Sequence, residues 1–171
     1  YHHSAMKHVI SVRKTLGTRT IFNLLGPLTN PANAKNQLLG VYDKKWINTH
    51  CEVLRELGSN KVMIVHGFDG LDEITLSQNT YICELKDKHI QNYNFDPRDI
   101  GYDYISLEDI KGGDPKYNAE CFMKMINGKY DQFQKIVEIN AGAAVYLSGK
   151  ASSIKEGALI AQKSITEGKT K

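Results

Sequence analysis

Several signatures that would settle a function early are missing from this sequence. No run of about 18 apolar residues occurs, so nothing in it reads as a membrane span. There is no GxSxG elbow, no Walker loop, and no HExxH or other zinc spacing. Serine-hydrolase, P-loop and zinc-helix chemistries therefore lack their usual residues. A glycine-rich cradle for phosphate is absent throughout. The cysteines, Cys51, Cys83 and Cys121, are odd in number and far apart, which argues against a disulfide framework or a CxxC metal site. With no leader or lipidation motif visible, a reducing cytoplasm is the expected location. Only 4 prolines and 14 glycines in 171 residues exclude collagen-like and low-complexity sequence. What remains is 41% hydrophobic and 24% charged, the composition of one soluble domain with a buried core.

Carboxylates are missing from the first quarter of the chain. Residues 1–42 hold Lys7, Arg13, Lys14, Arg19 and Lys35 and no acid, whereas residues 43–149 carry 12 cations against 17 anions. The overall charge of +3 does not argue for nucleic acid, and the acidic middle argues against a basic stripe. The acid-free segment reads from charge alone as a solvated basic face, and is also a place to receive an anion.

The hydrophobic pattern orders the elements. Ala5, Val9, Val12 and Leu16 form the stripe of an amphipathic helix that Gly17 would stop. A short apolar segment, Ile21 to Leu25, is expected to end at Gly26-Pro27, with Asn30-Pro31 as further punctuation. Gln37 to Tyr42 reads as a strand, Lys44 to Leu57 as a helix ended by Gly58, and Lys61 to His66 as a second strand. Together these make a βαβ unit and fix the class as α/β. Thr80 to Leu85 and His89 to Phe95 predict a hairpin or edge pair. Asp114 with Pro115 opens a helix ending near Gly128, and Asp131 to Leu147 forms another. Ser153 with Glu156 is a capping box for the last, which ends by Gly168. No internal repeat is present.

The strongest local candidate for chemistry is Asp69-Gly-Leu-Asp-Glu73, directly after an apolar strand. Ligands of open α/β sheets collect beyond the carboxyl ends of strands. Asp72 and Glu73 offer hard oxygens suited to Mg²⁺, and the same spacing also suits an ordinary acidic turn. Arg13, at the border of the first helix's apolar stripe, is placed either to grip a carboxylate bidentately or to sit as a surface cation near the helix end. His66, at a strand end, reads as structural. Gly40 and Gly142 read as packing glycines, and Asn140 as a hydrogen-bonded core residue.

Six segments carry a resemblance. His3-Ser-Ala-Met-Lys7, Val12-Arg-Lys-Thr-Leu-Gly17 and Arg19-Thr-Ile-Phe-Asn-Leu-Leu-Gly-Pro-Leu-Thr-Asn-Pro31 resemble the anthranilate phosphoribosyltransferases closely. So does His66-Gly-Phe-Asp-Gly-Leu-Asp-Glu73, while Asn140-Ala-Gly-Ala-Ala144 and the final helix after Gly149-Lys150 look like that family's C-terminal region. The resemblance implies the C-terminal part of a nucleoside-phosphorylase-like α/β domain, a mainly parallel sheet flanked by helices. It implies transfer of the phosphoribosyl group of phosphoribosyl pyrophosphate to anthranilate, in tryptophan biosynthesis. By the same resemblance Asp72 and Glu73 hold Mg²⁺, Arg13 contacts anthranilate, and His3 and Pro27 line its channel. Ser4 stands where the family often has proline.

The family's enzymes are about twice this length. Residues 1–171 therefore read as a partial catalytic domain without the helical N-terminal domain and the pyrophosphate loop, inactive alone, and a homodimer when whole. Neither nucleic acid nor membrane is expected as a partner. The alternatives are a pyrimidine-nucleoside phosphorylase and a non-catalytic, nucleic-acid-binding relative of the same fold.

Overall fold

In the computed structural model, the described residues are 15, 17, 18 and 20–170. The helix expected from Ala5 to Leu16 lies outside them apart from Thr15, which is helical; His3 and Arg13 lie outside them as well. Gly17, expected to stop that helix, has φ +57°, the left-handed conformation that ends helices.

Helix α1 (Ile21–Leu28) begins where the Asn23 side chain accepts the Thr20 backbone N–H at 2.9 Å. It passes through Gly26-Pro27 instead of ending there. Proline in the last turn forfeits a single hydrogen bond, a loss this short helix absorbs. Strand β1 (Asn36–Gly40), helix α2 (Ile47–Glu56) and strand β2 (Lys61–Gly67) form the expected βαβ unit, with β1 and β2 parallel. Asp43 starts the helical segment by accepting the Lys45 N–H at 3.0 Å.

Strands β3 (Thr80–Lys86) and β4 (His89–Phe95) are the expected hairpin. Its two-residue turn places Asp87 and Lys88 at φ +51° and +66°, the geometry that matches strand twist. The sheet order is β1-β2-β3-β4. The α/β class stands, and the described sheet is mixed, where the resemblance implied a mainly parallel one. One of its pairings is parallel, while β2–β3 and β3–β4 are antiparallel, because no crossover helix separates these last strands.

Alternation along β2 splits the core. Val62 and Ile64 join Cys83 and Leu85 under Ile47, Cys51 and Leu54 of α2. Met63 and Val65 join Ile74, Leu76 and Ile82 on the opposite face, beneath helix α4 (Asp131–Leu147) through Ile136, Ile139, Ala143 and Leu147. Helix α3 (Pro115–Ile126) starts at Asp114, whose carboxylate accepts the Tyr117 N–H at 2.8 Å. Helix α5 (Ile154–Thr166) starts at Ser153, which accepts the Glu156 N–H at 3.2 Å. The reciprocal reach of Glu156 goes to the N–H and hydroxyl of Ser152.

Helices α4 and α5 touch through bare backbone. A Cβ on Gly142 would stand 2.5 Å from the Ala158 nitrogen, and one on Gly157 would stand 2.2 Å from the Gly142 carbonyl oxygen. These glycines are packing residues, as the sequence indicated for Gly142.

Candidate active site

The loop between β2 and β3 leaves the carboxyl end of β2 and carries the acidic motif. Its first turn closes through Gly70 N–H to Gly67 O at 3.0 Å and Gly67 N–H to Leu71 O at 2.8 Å, with Gly70 at φ +94°. Asp69 organises the interior. Its carboxylate accepts the Leu71 N–H at 3.0 Å and short hydrogen bonds from the Thr75 and Ser77 hydroxyls. A Cβ on Gly67 would lie 2.3 Å from an Asp69 carboxylate oxygen, so the absence of a side chain there makes room for the inward turn of Asp69.

Asp72 and Glu73 follow, both exposed. Asp72 borders a cleft of about 250 Å³ with Pro27, Leu24, Gly40, Tyr42 and His50. Glu73 borders a second hollow of about 370 Å³ with Phe133, Val137 and Asn140. The structure thus brings Asp72 and Pro27, two of the residues singled out from sequence, to one cleft. At the floor of that cleft a Cβ on Gly40 would fall 1.5 Å from the Asp72 carbonyl oxygen, so the end of β1 is pressed against the acidic turn.

Among the described residues no ion pair reaches Asp69, Asp72 or Glu73. Although Glu73 has exposed surface, protein atoms crowd its carboxyl. Burial raises its pKa above the usual carboxylate range, and the neighbouring charges of Asp72 and Asp69 add to this. Like charges without a counter-ion suit a hard divalent cation. Among the described residues there is no set of three or more protein ligands, so such a cation would complete its shell with water and substrate oxygens.

Two nearby histidines are committed to backbone. His66 Nδ1 faces the Val41 carbonyl at 2.8 Å, so it donates and the other ring nitrogen is left as an acceptor, in keeping with the structural role read from the sequence. His50, 2% exposed, faces the Trp46 and Leu24 carbonyls at 3.0 and 3.1 Å and ties α1 to α2. The sequence reading missed His50. The signal was one polar residue on the apolar stripe of α2.

Asn140, expected to be a hydrogen-bonded core residue, is hydrogen-bonded but half-buried at the edge of the core, and its main partner is the loop. Its Oδ1 accepts the Ile74 N–H at 3.0 Å, and its Nδ2 donates to the Ile74 carbonyl at 2.8 Å and the Ile136 carbonyl at 3.0 Å.

Comparison with known proteins places these features. Residues 1–171 match the family model described as "Glycosyl transferase family, a/b domain". The chain is 46% identical over 170 residues to anthranilate phosphoribosyltransferase of Parvibaculum lavamentivorans, covering 99% of this chain and 50% of that one. It is 47% identical over 167 residues to the same enzyme of Thermoanaerobacter sp., covering 98% and 49%. Among solved structures, anthranilate phosphoribosyltransferase of Thermus thermophilus superposes with a TM-score of 0.85 at 39% identity, over 97% of this chain and 49% of that one. The Saccharomyces cerevisiae enzyme in complex with PRPP and Mg superposes with a TM-score of 0.83 at 28% identity, over 97% and 48%. The chain spans about half the length of the curated relatives it matches, and lines up with their C-terminal half.

Proposed function

The chain belongs to the glycosyl transferase family, whose a/b domain it matches from end to end, and on that premise we propose that it serves phosphoribosyl transfer from phosphoribosyl pyrophosphate to anthranilate. The products would be N-(5-phosphoribosyl)anthranilate and pyrophosphate, in tryptophan biosynthesis. The observation that carries the reading is the Asp72–Glu73 turn at the carboxyl end of β2, which no ion pair reaches among the described residues and whose Asp72 opens on the cleft that also holds Pro27.

In this reading Asp72 and Glu73 hold Mg²⁺ through their carboxylates. When bound, the ion supplies positive charge against the growing charge of the pyrophosphate leaving group. The anomeric C–O bond breaks with its electron pair leaving on pyrophosphate, and the amine of anthranilate forms the new C–N bond and loses a proton. That amine is neutral near pH 7 and needs orientation more than activation. Arg13 would supply it by gripping the anthranilate carboxylate, and His3 and Pro27 would line the approach. The 171 residues alone are expected to be inactive, since the relatives are about twice as long, and the whole protein is expected to be a homodimer.

No helix among the described residues is long and apolar enough to cross a membrane. The cytoplasm is the proposed location.

The test is loss of anthranilate fluorescence when phosphoribosyl pyrophosphate and Mg²⁺ are added to the whole protein that contains this chain. Consumption that needs both cosubstrates, and falls at least 10²-fold or so in Asp72→Ala and Arg13→Ala, supports the reading. A folded whole protein that consumes no anthranilate refutes it. Phosphorolysis of thymidine would then indicate a nucleoside phosphorylase, and salt-sensitive DNA binding the non-catalytic relative.

A further inference from the structure

We propose that Asn140 is a positioning residue for the acidic turn, acting together with the internal brace of Asp69. The inference rests on the reading above that Asp72 and Glu73 hold a divalent cation. It adds the residues that fix their stance through hydrogen bonds to the loop.

The geometry is that of a span held at both ends. On one side, Asp69 fixes Leu71 through its N–H, and fixes Thr75 and Ser77 through their hydroxyls. On the other, Ile74, the residue after Glu73, has both its N–H and its carbonyl bonded to one Asn140 amide, at 3.0 and 2.8 Å. The Ile74 side chain is fully buried, packed in the core cluster that includes Ile136 and Ile139. With backbone and side chain both secured, Ile74 cannot rotate to relax the peptide that joins it to Glu73.

The Asn140 amide is itself fixed, because its second N–H is spent on the Ile136 carbonyl one turn back in α4, at 3.0 Å. Only a side chain with a donor and an acceptor side by side can serve both groups of one peptide residue. A carboxylate would forfeit the donor, and a hydrocarbon would forfeit both. Groups that orient metal ligands from behind are generally worth about 10–100-fold in metal affinity or activity. Such a rigid span suits two adjacent carboxylates that must share one ion despite their mutual repulsion.

The experiment uses the whole protein and three variants. Asn140→Leu removes the clamp, Thr75→Val removes one hydroxyl from Asp69, and Ile165→Val thins the core in a cluster that does not include the loop. Mn²⁺ binding in the presence of phosphoribosyl pyrophosphate is read by water-proton relaxation. The Mg²⁺ concentration for half-maximal rate and the KM for anthranilate are measured alongside, with amide exchange of the peptide spanning residues 67–76. Asn140→Leu is expected to weaken Mn²⁺ binding and raise the Mg²⁺ requirement by about tenfold or more, to leave the anthranilate KM within about twofold, and to speed exchange across 67–76. Thr75→Val, which keeps the residue's shape, is expected to move the same readouts in the same direction and gives the answer if Asn140→Leu does not fold. Wild-type affinity for Mn²⁺ in folded variants overturns the proposal, as does equal weakening by Ile165→Val. Wild-type protein that binds no Mn²⁺ overturns the metal reading of Asp72 and Glu73, and this proposal with it.

Discussion

Replacing Gly40 by alanine tests how closely the acidic turn is seated. The added methyl would stand 1.5 Å from the Asp72 carbonyl oxygen, 2.4 Å from its carbonyl carbon and 3.1 Å from its Cα. All three are backbone atoms, so no rotamer change relieves the contact. Reaching ordinary van der Waals separation requires a displacement of about 2 Å, shared between the end of β1 and the turn. Neither side yields freely. Strand β1 is held by its parallel register with β2, where Gly40 lies opposite Val65, and the turn is held by Asp69 and Asn140. Overpacking against such fixed neighbours costs about 1–3 kcal/mol of stability. A shift of about 1 Å in a reacting group is enough for a loss on the order of 10²-fold in rate. The assay pairs anthranilate consumption by the whole protein with its urea unfolding. A Gly40→Ala protein with both rate and midpoint unchanged would refute the argument. A lowered midpoint with an unchanged rate would keep the packing and reject the link to Asp72.

Two further outcomes are expected. Gly142→Ala should lower stability by about 1 kcal/mol, read as a lower urea midpoint. Alanine gains about 1 kcal/mol in helix propensity, but its methyl would meet the Ala158 backbone at 2.5 and 2.7 Å; a raised midpoint would show that the helices separate at little cost. In the alkaline range, Tyr146 is pushed up to about 12 by burial and by its hydrogen bond to Glu84, from an ordinary value of 10.0. Tyr93 is held higher still by burial and the charge of Glu84, and Tyr102 by burial and the charge of Glu138. Between pH 10 and 12 the unfolded chain therefore binds fewer protons than the folded one. The stability these groups contribute is intact below pH 10 and falls as pH rises. An absorbance titration should show at least these three of the nine tyrosines ionising late in folded protein; nine ionising together near pH 10 would refute it.

Much of this fold was legible because its determinants are local. Val62 and Ile64 alternate with Met63 and Val65, the spacing of Ile47, Cys51 and Leu54 marks one helical face, and Asp114 and Ser153 cap the helices they precede. The acidic motif was legible for a related reason: a strand and the loop leaving its carboxyl end are contiguous in sequence. Contacts between distant segments were not legible. Asn140 and Ile74 are 66 residues apart, and periodicity showed only that a polar group sat in an apolar helix. Nothing in the spacing of Gly40 revealed Asp72 above it, and Gly142 could be read as a packing residue but not as the partner of Gly157. The continuation of α1 through Pro27 depended on which hydrogen bond proline would cost, and that is set by the position of the helix start at Thr20.

The glycine contact between α4 and α5 reaches further than the two helices. Asn140 and Gly142 are two residues apart, about 200° around the helix, so α4 presents its loop grip and its bare patch on nearly opposite flanks. The helix therefore works as a gauge block, one helix diameter thick, between α5 and the acidic turn. Substitutions at Ala158, whose backbone meets Gly142, would be felt at Asp72 and Glu73 as changes of position, although no atom of α5 needs to approach them. Inserting one residue between Asn140 and Gly142 would turn one flank by about 100° relative to the other, so that grip and patch could not both engage. Tolerance to sequence change in α4 and α5 should accordingly follow helical phase more closely than distance from the chemistry.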